Sequence, residues 1–270
     1  MRKDDETILS YVTNTDGLTR HVTLIDPDKQ TPQTAADRAC VAIEAGSSMI
    51  FVGGSTDTPD EIVHATCVAI QEGLELRAFA ASQSPDGDED KWKVPVVLFP
   101  GGSHALSPAA DAITFMMLMN STDRRFLVGE QLRGAPYIDK FGVDALPTGY
   151  IVCHPGGKVG EVGSADLVMP DETDLVKAYS LTAAMYGFNL LYLEAGSGAD
   201  KQVSPDLIKS AKTTEGLTMI VGGGIRSPEQ AKIAANAGAD WIVTGTLTED
   251  ATDLTDLAQK ISSICSALNN

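Results

Sequence analysis

Short apolar runs of strand length recur eight times along the 270-residue chain, and stretches with helical spacing separate most of them. Strands that alternate with helices in this way pair in parallel, because each crossover returns the chain to the same end of the sheet. The runs lie at residues 21–26, 48–54, 94–99, 112–119, 148–153, 190–193, 218–221 and 241–243. The sequence therefore predicts an α/β fold, a TIM (β/α)8 barrel formed by a single domain that spans residues 1–270.

Two parts of the chain depart from the regular alternation. Residues 100–111 separate the third and fourth runs, and this segment is short and rich in Gly, Pro and Ser. Such a segment does not accommodate a regular crossover helix, so we expect the third helix to be missing or replaced by an extended segment. Residues 81–91 are polar and acidic, which predicts a mobile surface insertion without a catalytic role.

The chain is acidic, with 37 Asp and Glu residues against 20 Lys and Arg residues and a net charge of −17. This charge repels nucleic acids and anionic membrane surfaces, so we expect small molecules or further copies of the chain as partners. The charged start of the sequence, residues 1–6, lacks the apolar core of a signal peptide. Four cysteines without metal-ligand spacing indicate free thiols in a reducing compartment. The expected location is cytoplasmic.

Glycine-rich segments follow the seventh and eighth runs. Gly222, Gly223 and Gly224 come after the seventh run, and Gly245 and Thr246 come after the eighth. Barrels of this kind often bind phosphate with the loops after strands seven and eight, where backbone N–H groups at helix starts face the anion. The pair of segments predicts a phosphate site. The alternative is a pair of ordinary βα turns that tolerate glycine.

Polar residues that close the first two runs suggest a metal site. Asp26 ends the first run, and a carboxylate that faces a phosphate suits Mg²⁺, which combines one or two protein oxygens with phosphate and water oxygens. The hydroxyl of Ser55, just after the second run, could complete the magnesium shell. The sequence Asp26-Pro27-Asp28 is also good turn chemistry, and a turn explains Asp28 at least as well.

The sixth run leads into a segment that combines a carboxylate with glycines. Tyr192 and Glu194 share one face of the strand because side chains alternate across it. If that face points into the barrel mouth, Glu194 is placed to act as a general base for a hydroxyl, and Gly196 and Gly198 can present N–H groups to an anion. The alternative is a buried glutamate that pairs with a basic side chain.

Seven motifs occur together in one order between residues 21 and 248, and in combination they are specific. They are Leu24-Ile25-Asp26-Pro27-Asp28-Lys29, Val52-Gly53-Gly54-Ser55, Leu98-Phe99-Pro100-Gly101, Pro147-Thr148-Gly149-Tyr150-Ile151-Val152, Tyr192-Leu193-Glu194-Ala195-Gly196-Ser197-Gly198, Val221-Gly222-Gly223-Gly224-Ile225-Arg226 and Val243-Thr244-Gly245-Thr246. In this combination the chain resembles the geranylgeranylglyceryl phosphate synthase family, which includes the heptaprenylglyceryl phosphate synthases.

The resemblance implies a prenyltransferase of archaeal-type ether lipid biosynthesis. Such an enzyme joins the C3 hydroxyl of sn-glycerol 1-phosphate to geranylgeranyl diphosphate and depends on Mg²⁺, for which the matching ligands are Asp26 and Ser55. The residues that match the family's glycerol 1-phosphate site are Tyr192, Leu193, Glu194, Ala195, Gly196, Ser197, Gly198, Gly223, Gly224, Gly245 and Thr246. The family also lacks a regular third helix and self-associates, which leaves a dimer and a hexamer open for this chain.

The residues and the resemblance suggest one hypothesis for the reaction. Glu194 would accept the proton of the attacking hydroxyl, and the glycine loops would hold the phosphate. An apolar wall for the prenyl tail is expected near residues 100–108, together with Phe115, Met116 and Met117, which are equally ordinary core residues. The alternatives are a different prenyl chain length, a barrel enzyme that acts on a sugar phosphate, and a non-catalytic binder of phospholipid precursors.

Overall fold

Eight parallel strands close into a barrel in which each strand pairs with its neighbours in chain order and the eighth pairs with the first. This computed structural model describes residues 7–54 and 58–268. The strands are β1 (Arg20–Ile25), β2 (Met49–Gly53), β3 (Val96–Phe99), β4 (Ala112–Leu118), β5 (Asp144–Val152), β6 (Leu190–Glu194), β7 (Thr218–Gly222) and β8 (Trp241–Thr244). Every predicted apolar run is therefore a strand, and the predicted TIM barrel is confirmed.

Helices surround the barrel, and several begin at the signals that the sequence contains. They are α1 (Ile8–Thr13), α2 (Pro32–Glu44), α3 (Asp60–Ser82), α4 (Glu130–Phe141), α5 (Gly157–Val162), α6 (Thr173–Met185), α7 (Pro205–Lys212), α8 (Pro228–Ala237), α9 (Thr246–Glu249) and α10 (Leu254–Leu268). At α8, Ser227 and Gln230 form a reciprocal capping box, and Pro228 occupies the first turn. Among the residues described, no helix is long and apolar enough to cross a membrane.

The link between β3 and β4 contains no helix, so the predicted absence of the third barrel helix is confirmed. The preceding helix α3 continues to Ser82, ten residues beyond the end that the sequence predicts at Glu72. Gly73 lies inside the helix, where a Cβ would be 3.2 Å from the Cys40 sulfur of α2. The glycine thus permits close packing of two helices. Residues 82–89 beyond it are exposed, as expected for a surface insertion.

Alternation along the strands creates two apolar layers. One set of side chains fills the barrel, and the other packs between the strands and the outer helices. Helix α1 lies across the amino-terminal ends of the strands, where the Tyr11 hydroxyl donates to the Ser48 carbonyl at 2.7 Å and the Trp241 indole donates to the Val12 carbonyl at 2.9 Å. One end of the barrel is thereby closed, and the carboxyl-terminal ends of the strands are left to form a site.

Candidate active site

Two adjoining cavities lie at the carboxyl-terminal ends of the strands. The larger has a volume of about 170 Å³ and a mostly apolar wall. The smaller, about 30 Å³, is lined by the glycine segments that follow β7 and β8. Leu24, Glu194 and Ser197 line both cavities. A buried carboxylate therefore stands at the junction of an apolar cavity and a cavity built from glycine loops.

Glu194 is the last residue of β6 and only 6% exposed. Its Oε1 accepts a hydrogen bond from the Gly196 amide at 2.6 Å, and the hydroxyls of Tyr150 and Tyr192 donate to the same carboxylate. These contacts fix the carboxyl group at the mouth of the barrel. These partners are all neutral donors, and within residues 7–54 and 58–268 no basic side chain forms the buried salt bridge that was the alternative.

Burial raises the pKa of Glu194 to about 7, although the Gly196 amide and the two tyrosine hydroxyls act in the opposite direction. A carboxylate with a pKa near neutrality is suited to accept a proton at physiological pH. Tyr150, on β5, was not assigned by the sequence reasoning even though it lies within one of the seven motifs. Its hydrogen bond to Glu194 depends on the pairing of Tyr150 with Tyr192 across β5 and β6, which sequence alternation alone does not identify.

The glycine segments approach β6 so closely that larger residues would not fit. Gly223 and Gly224 have positive φ angles of 81° and 71°. A Cβ on Gly223 would lie 2.6 Å from the Gly196 nitrogen, and a Cβ on Gly222 would collide with the Tyr192 hydroxyl. The loops after β6 and β7 thus meet backbone to backbone, and Gly223 and Gly224 line the small cavity. The Gly196 and Gly198 amides, which were expected to face an anion, instead donate to Glu194 Oε1 and to the Thr246 hydroxyl.

Two side chains tie the three loops together. The Arg226 guanidinium donates to the Gly198 carbonyl at 2.8 Å, and the Gly198 amide donates to the Thr246 hydroxyl at 3.2 Å. Arg226 also lines the small cavity, where its positive charge suits an anion. Sequence reasoning did not assign Arg226, although its place just after three glycines in a phosphate loop is a usable signal.

The other residues predicted to bind glycerol 1-phosphate divide between the cavities and the core. Ser197, Gly245 and Thr246 line the small cavity together with Gly223 and Gly224. The side chains of Leu193 and Ala195 instead pack in the layer between the strands and the outer helices. Only the backbone of these two residues can face a ligand.

Asp26 follows β1, is half-buried, and lines the large cavity. Its Oδ1 accepts from the Asp28 amide at 3.0 Å and caps the short turn Pro27–Lys29, so the predicted turn is also present. Burial raises the pKa of Asp26, and repulsion from Glu249 adds to the increase. Lys29, whose Nζ lies 3.3 Å from Glu249 Oε2, offsets part of this repulsion, and a bound cation would offset more of it. Ser55, the second predicted magnesium ligand, lies outside the described residues.

The large cavity extends from the barrel mouth along the segment that replaces the third helix. Its wall includes, as expected, Pro100, Gly101, Phe115 and Met116. Met117 was also expected in the wall, but it is not among the described residues that line the cavity. Buried residues of its wall are Ile113 of β4, Leu106 of the helix-free segment, and Gly134 and Ile138 of α4. The absence of a helix thus leaves an apolar groove in the side of the barrel.

Comparison with known proteins agrees with this geometry. The family model described as the PcrB family matches residues 87–266. The geranylgeranylglyceryl phosphate synthase of Methanobrevibacter smithii is 42% identical over 243 residues, which cover 90% of each chain. The enzyme of the same name from Methanosarcina acetivorans is 40% identical over 251 residues, which cover 93% of each chain.

Solved structures give the same result. The crystal structure of (S)-3-O-geranylgeranylglyceryl phosphate synthase from Thermoplasma acidophilum, in complex with sn-glycerol-1-phosphate, superposes with a TM-score of 0.86 at 35% identity, covering 98% of this chain and 99% of that one. The wild-type enzyme from Thermoplasma volcanium gives a TM-score of 0.87 at 38% identity, with 98% of each chain covered. Tryptophan synthase from Mycobacterium tuberculosis, at 15% identity and a TM-score of 0.58, shares the fold alone.

Proposed function

Because this chain belongs to the PcrB family, we propose that it is a prenyltransferase that joins geranylgeranyl diphosphate to the C3 hydroxyl of sn-glycerol 1-phosphate. Relatives at 40–42% identity carry the name geranylgeranylglyceryl phosphate synthase. The observation on which the proposal rests is the position of Glu194 between an apolar groove and a cavity of glycine loops. Such a junction suits a reaction between a polar phosphate and a long apolar chain.

In the proposed reaction the small cavity holds the phosphate of the acceptor. The loop amides and Arg226 bind the anion and orient the glycerol toward Glu194. The C3 oxygen forms a bond to the allylic carbon, and the bond from that carbon to the diphosphate breaks. The diphosphate leaves with the bonding electron pair, and the hydroxyl proton passes to the Glu194 carboxylate. The products are the ether and inorganic diphosphate.

Asp26 would hold a magnesium ion together with oxygens of the diphosphate substrate. Asp26 is half-buried beside Glu249, and both carboxylates line the large cavity. Among residues 7–54 and 58–268, no group of three His, Cys, Asp or Glu side chains could hold a metal by itself. Substrate oxygens and Ser55 would complete the shell, as is usual for Mg²⁺. When bound, the ion would neutralise charge on the leaving diphosphate.

We also propose that the protein acts in the cytoplasm as a homo-oligomer, either a dimer or a hexamer. Large apolar side chains are exposed on the surface of α4, where Leu132 is 61% and Tyr137 is 56% exposed. Burial of such side chains between subunits is a usual reason for self-association. Light scattering of the purified chain would give the number of subunits.

The experiment that tests the proposed function measures product formation from geranylgeranyl diphosphate with sn-glycerol 1-phosphate and, in parallel, with sn-glycerol 3-phosphate. Reactions run with Mg²⁺ and with EDTA. Ether formed from the 1-phosphate alone, and only with Mg²⁺, is the expected result. If folded protein makes no ether from either acceptor or from other prenyl lengths, the proposal is wrong and sugar-phosphate chemistry becomes the next hypothesis.

Replacing Asp26 by Asn is expected to raise the Mg²⁺ concentration that gives half-maximal activity by about tenfold or more, since a neutral amide binds Mg²⁺ weakly. The measurement is a magnesium titration of the initial rate. Asp28→Asn is the matched control, because Asp28 is exposed and the substitution removes the same charge two positions away. Equal titrations for wild type and Asp26→Asn would remove Asp26 from the metal site.

The pH dependence of kcat/KM should report the ionisation of Glu194. The base is competent only when it is deprotonated, and its pKa is raised to about 7. Activity is therefore expected to increase with pH up to about 7 and then to level off, with a loss of about tenfold per unit on the acidic side. A profile that stays flat down to pH 5 would contradict this assignment.

A further inference from the structure

Two carboxylates on neighbouring helices accept hydrogen bonds from the backbone of the segment that replaces the third barrel helix. Asp60, at the start of α3, accepts a hydrogen bond from the Leu106 amide at 2.8 Å. Glu130, at the start of α4, accepts from the Ser103 amide at 2.8 Å and from the Ser103 hydroxyl at 2.7 Å, both on Oε2. A segment without helical hydrogen bonds needs such partners for its backbone.

Glu130 is built to remain charged in this position. Its Oε1 accepts from Arg125 Nε at 2.5 Å and from an Arg133 guanidinium nitrogen at 3.1 Å. Burial would by itself raise the pKa of Glu130, but the donors from Ser103 and Arg125 outweigh it and lower the pKa to about 2. The carboxylate is only 9% exposed and has partners on both oxygens. Charge-assisted hydrogen bonds of this kind are among the strongest in proteins.

Glu130 and two of its hydrogen-bond partners form part of the wall of the apolar groove. Ser103, Arg125 and Glu130 all line the large cavity, Ser103 on the helix-free segment and the other two on the opposite side. Below them, α4 presents Gly134, where a Cβ would be 3.7 Å from the Ser103 Cβ and 3.9 Å from Leu106. The segment therefore lies close against α4, and Glu130 connects the two walls of the groove.

We propose that Glu130 is a positioning residue for the prenyl substrate, because it holds Ser103 and Arg125 together and thereby sets the width of the groove between residues 100–107 and α4. This inference rests on the proposed function, since it assigns the groove to the prenyl chain. With Glu130 in place, the groove takes a chain of one preferred size. Without its charge the two walls separate, and the contacts that distinguish one chain length from another are lost.

The test compares wild type with Glu130→Gln on farnesyl, geranylgeranyl and geranylfarnesyl diphosphate. For the variant, KM for geranylgeranyl diphosphate should rise by about tenfold, the scale of a lost charged hydrogen bond. Turnover at saturation and KM for sn-glycerol 1-phosphate should stay within about twofold, since the glycine loops are untouched. Preference among the three chain lengths should decrease. Glu130→Asp, which keeps the charge, should restore part of the preference.

Two further variants separate positioning from simple loss of structure. Asp60→Asn removes the hydrogen-bonding carboxylate on the exposed side of the same segment, and it should lower the melting temperature with less effect on chain-length preference. Ser103→Ala removes one of the two donors to Glu130 Oε2 and should change the preference in the same direction as Glu130→Gln, but by less. It serves as the test if Glu130→Gln does not fold.

Two results for folded Glu130→Gln would overturn the proposal. One is an unchanged preference among the chain lengths. The other is an equal loss of kcat/KM for all three prenyl substrates together with a higher KM for sn-glycerol 1-phosphate. If wild type makes no ether at all, the proposed function fails separately, and calorimetry with non-reacting prenyl thiolodiphosphates of the same three lengths tests the groove directly. If wild type binds one length more tightly and Glu130→Gln reduces that difference in affinity, the positioning role is supported. If both proteins bind the three lengths with the same relative affinities, the positioning role is overturned.

Discussion

Replacing Glu194 by Gln is expected to lower kcat by about 10²- to 10⁴-fold, because an amide cannot accept the proton of the attacking hydroxyl. The substitution keeps the shape of the side chain and its hydrogen bond from the Gly196 amide, so KM for glycerol phosphate should change little. The measurement is the steady-state rate at saturating concentrations of both substrates. Glu75→Gln, an exposed position on α3, is the matched control and should keep full turnover.

The folded state of Glu194→Gln can be checked independently of activity. Burial raises the pKa of Glu194 to about 7, so the charged carboxylate is disfavoured in the folded protein. As pH rises from the pKa of the unfolded chain through about 7, ionisation of Glu194 therefore lowers the free energy of unfolding. At pH 8 a neutral glutamine should therefore leave the melting temperature equal or higher. A stable variant with wild-type turnover would show that Glu194 is not the base, and attention would turn to another proton acceptor at the mouth.

Much of the fold could be predicted from the sequence because periodicity and local signals are consistent. Every strand was located. The sequence also predicts helices from Pro228 to Ala237 and from about Leu254 to Leu268, and α8 and α10 have these bounds because α8 has a capping box and α10 a regular apolar spacing. Helix α3 was predicted from about Pro59 to Glu72 but continues to Ser82, and Gly73 inside it allows close packing on α2. The short helices α1, α5 and α9 were missed, since one or two turns carry almost no periodic signal.

The site could be predicted where it depends on the ends of strands. Asp26, Glu194 and the glycine loops lie at or just after the carboxyl ends of β1, β6, β7 and β8, and in a barrel these positions meet at one end. Contacts between segments that are distant in the sequence could not be predicted from the positions of the strand ends. Tyr150 contacts Glu194 from the neighbouring strand, and Glu130 of α4 contacts Ser103 of the helix-free segment. Both pairings are tertiary and leave no spacing rule in the chain.

The largest effect on acceptor binding is expected from Gly223→Ala. Gly223 has a φ of +81°, and an added Cβ would collide with Glu194 Oε1 and lie 2.6 Å from the Gly196 nitrogen and 2.8 Å from the Ala195 nitrogen. Backbone nitrogens cannot move aside cheaply, so the loops after β6 and β7 must separate. Displacement of the phosphate loop and the base should lower kcat/KM for sn-glycerol 1-phosphate by about 10²-fold or more.

Gly187→Ala separates this effect from backbone strain alone. Gly187 has the same φ of +81°, but a Cβ there would meet nothing within 4 Å. Both variants pay the cost of a left-handed alanine, about 1–2 kcal/mol. Only Gly223→Ala also forces the loops apart. Gly187→Ala should therefore lose stability but keep its kinetics. The test is calorimetry for the melting temperature and kinetics for the acceptor KM. Equal values for the two variants would show that phosphate binding does not depend on the close approach of the loops after β6 and β7.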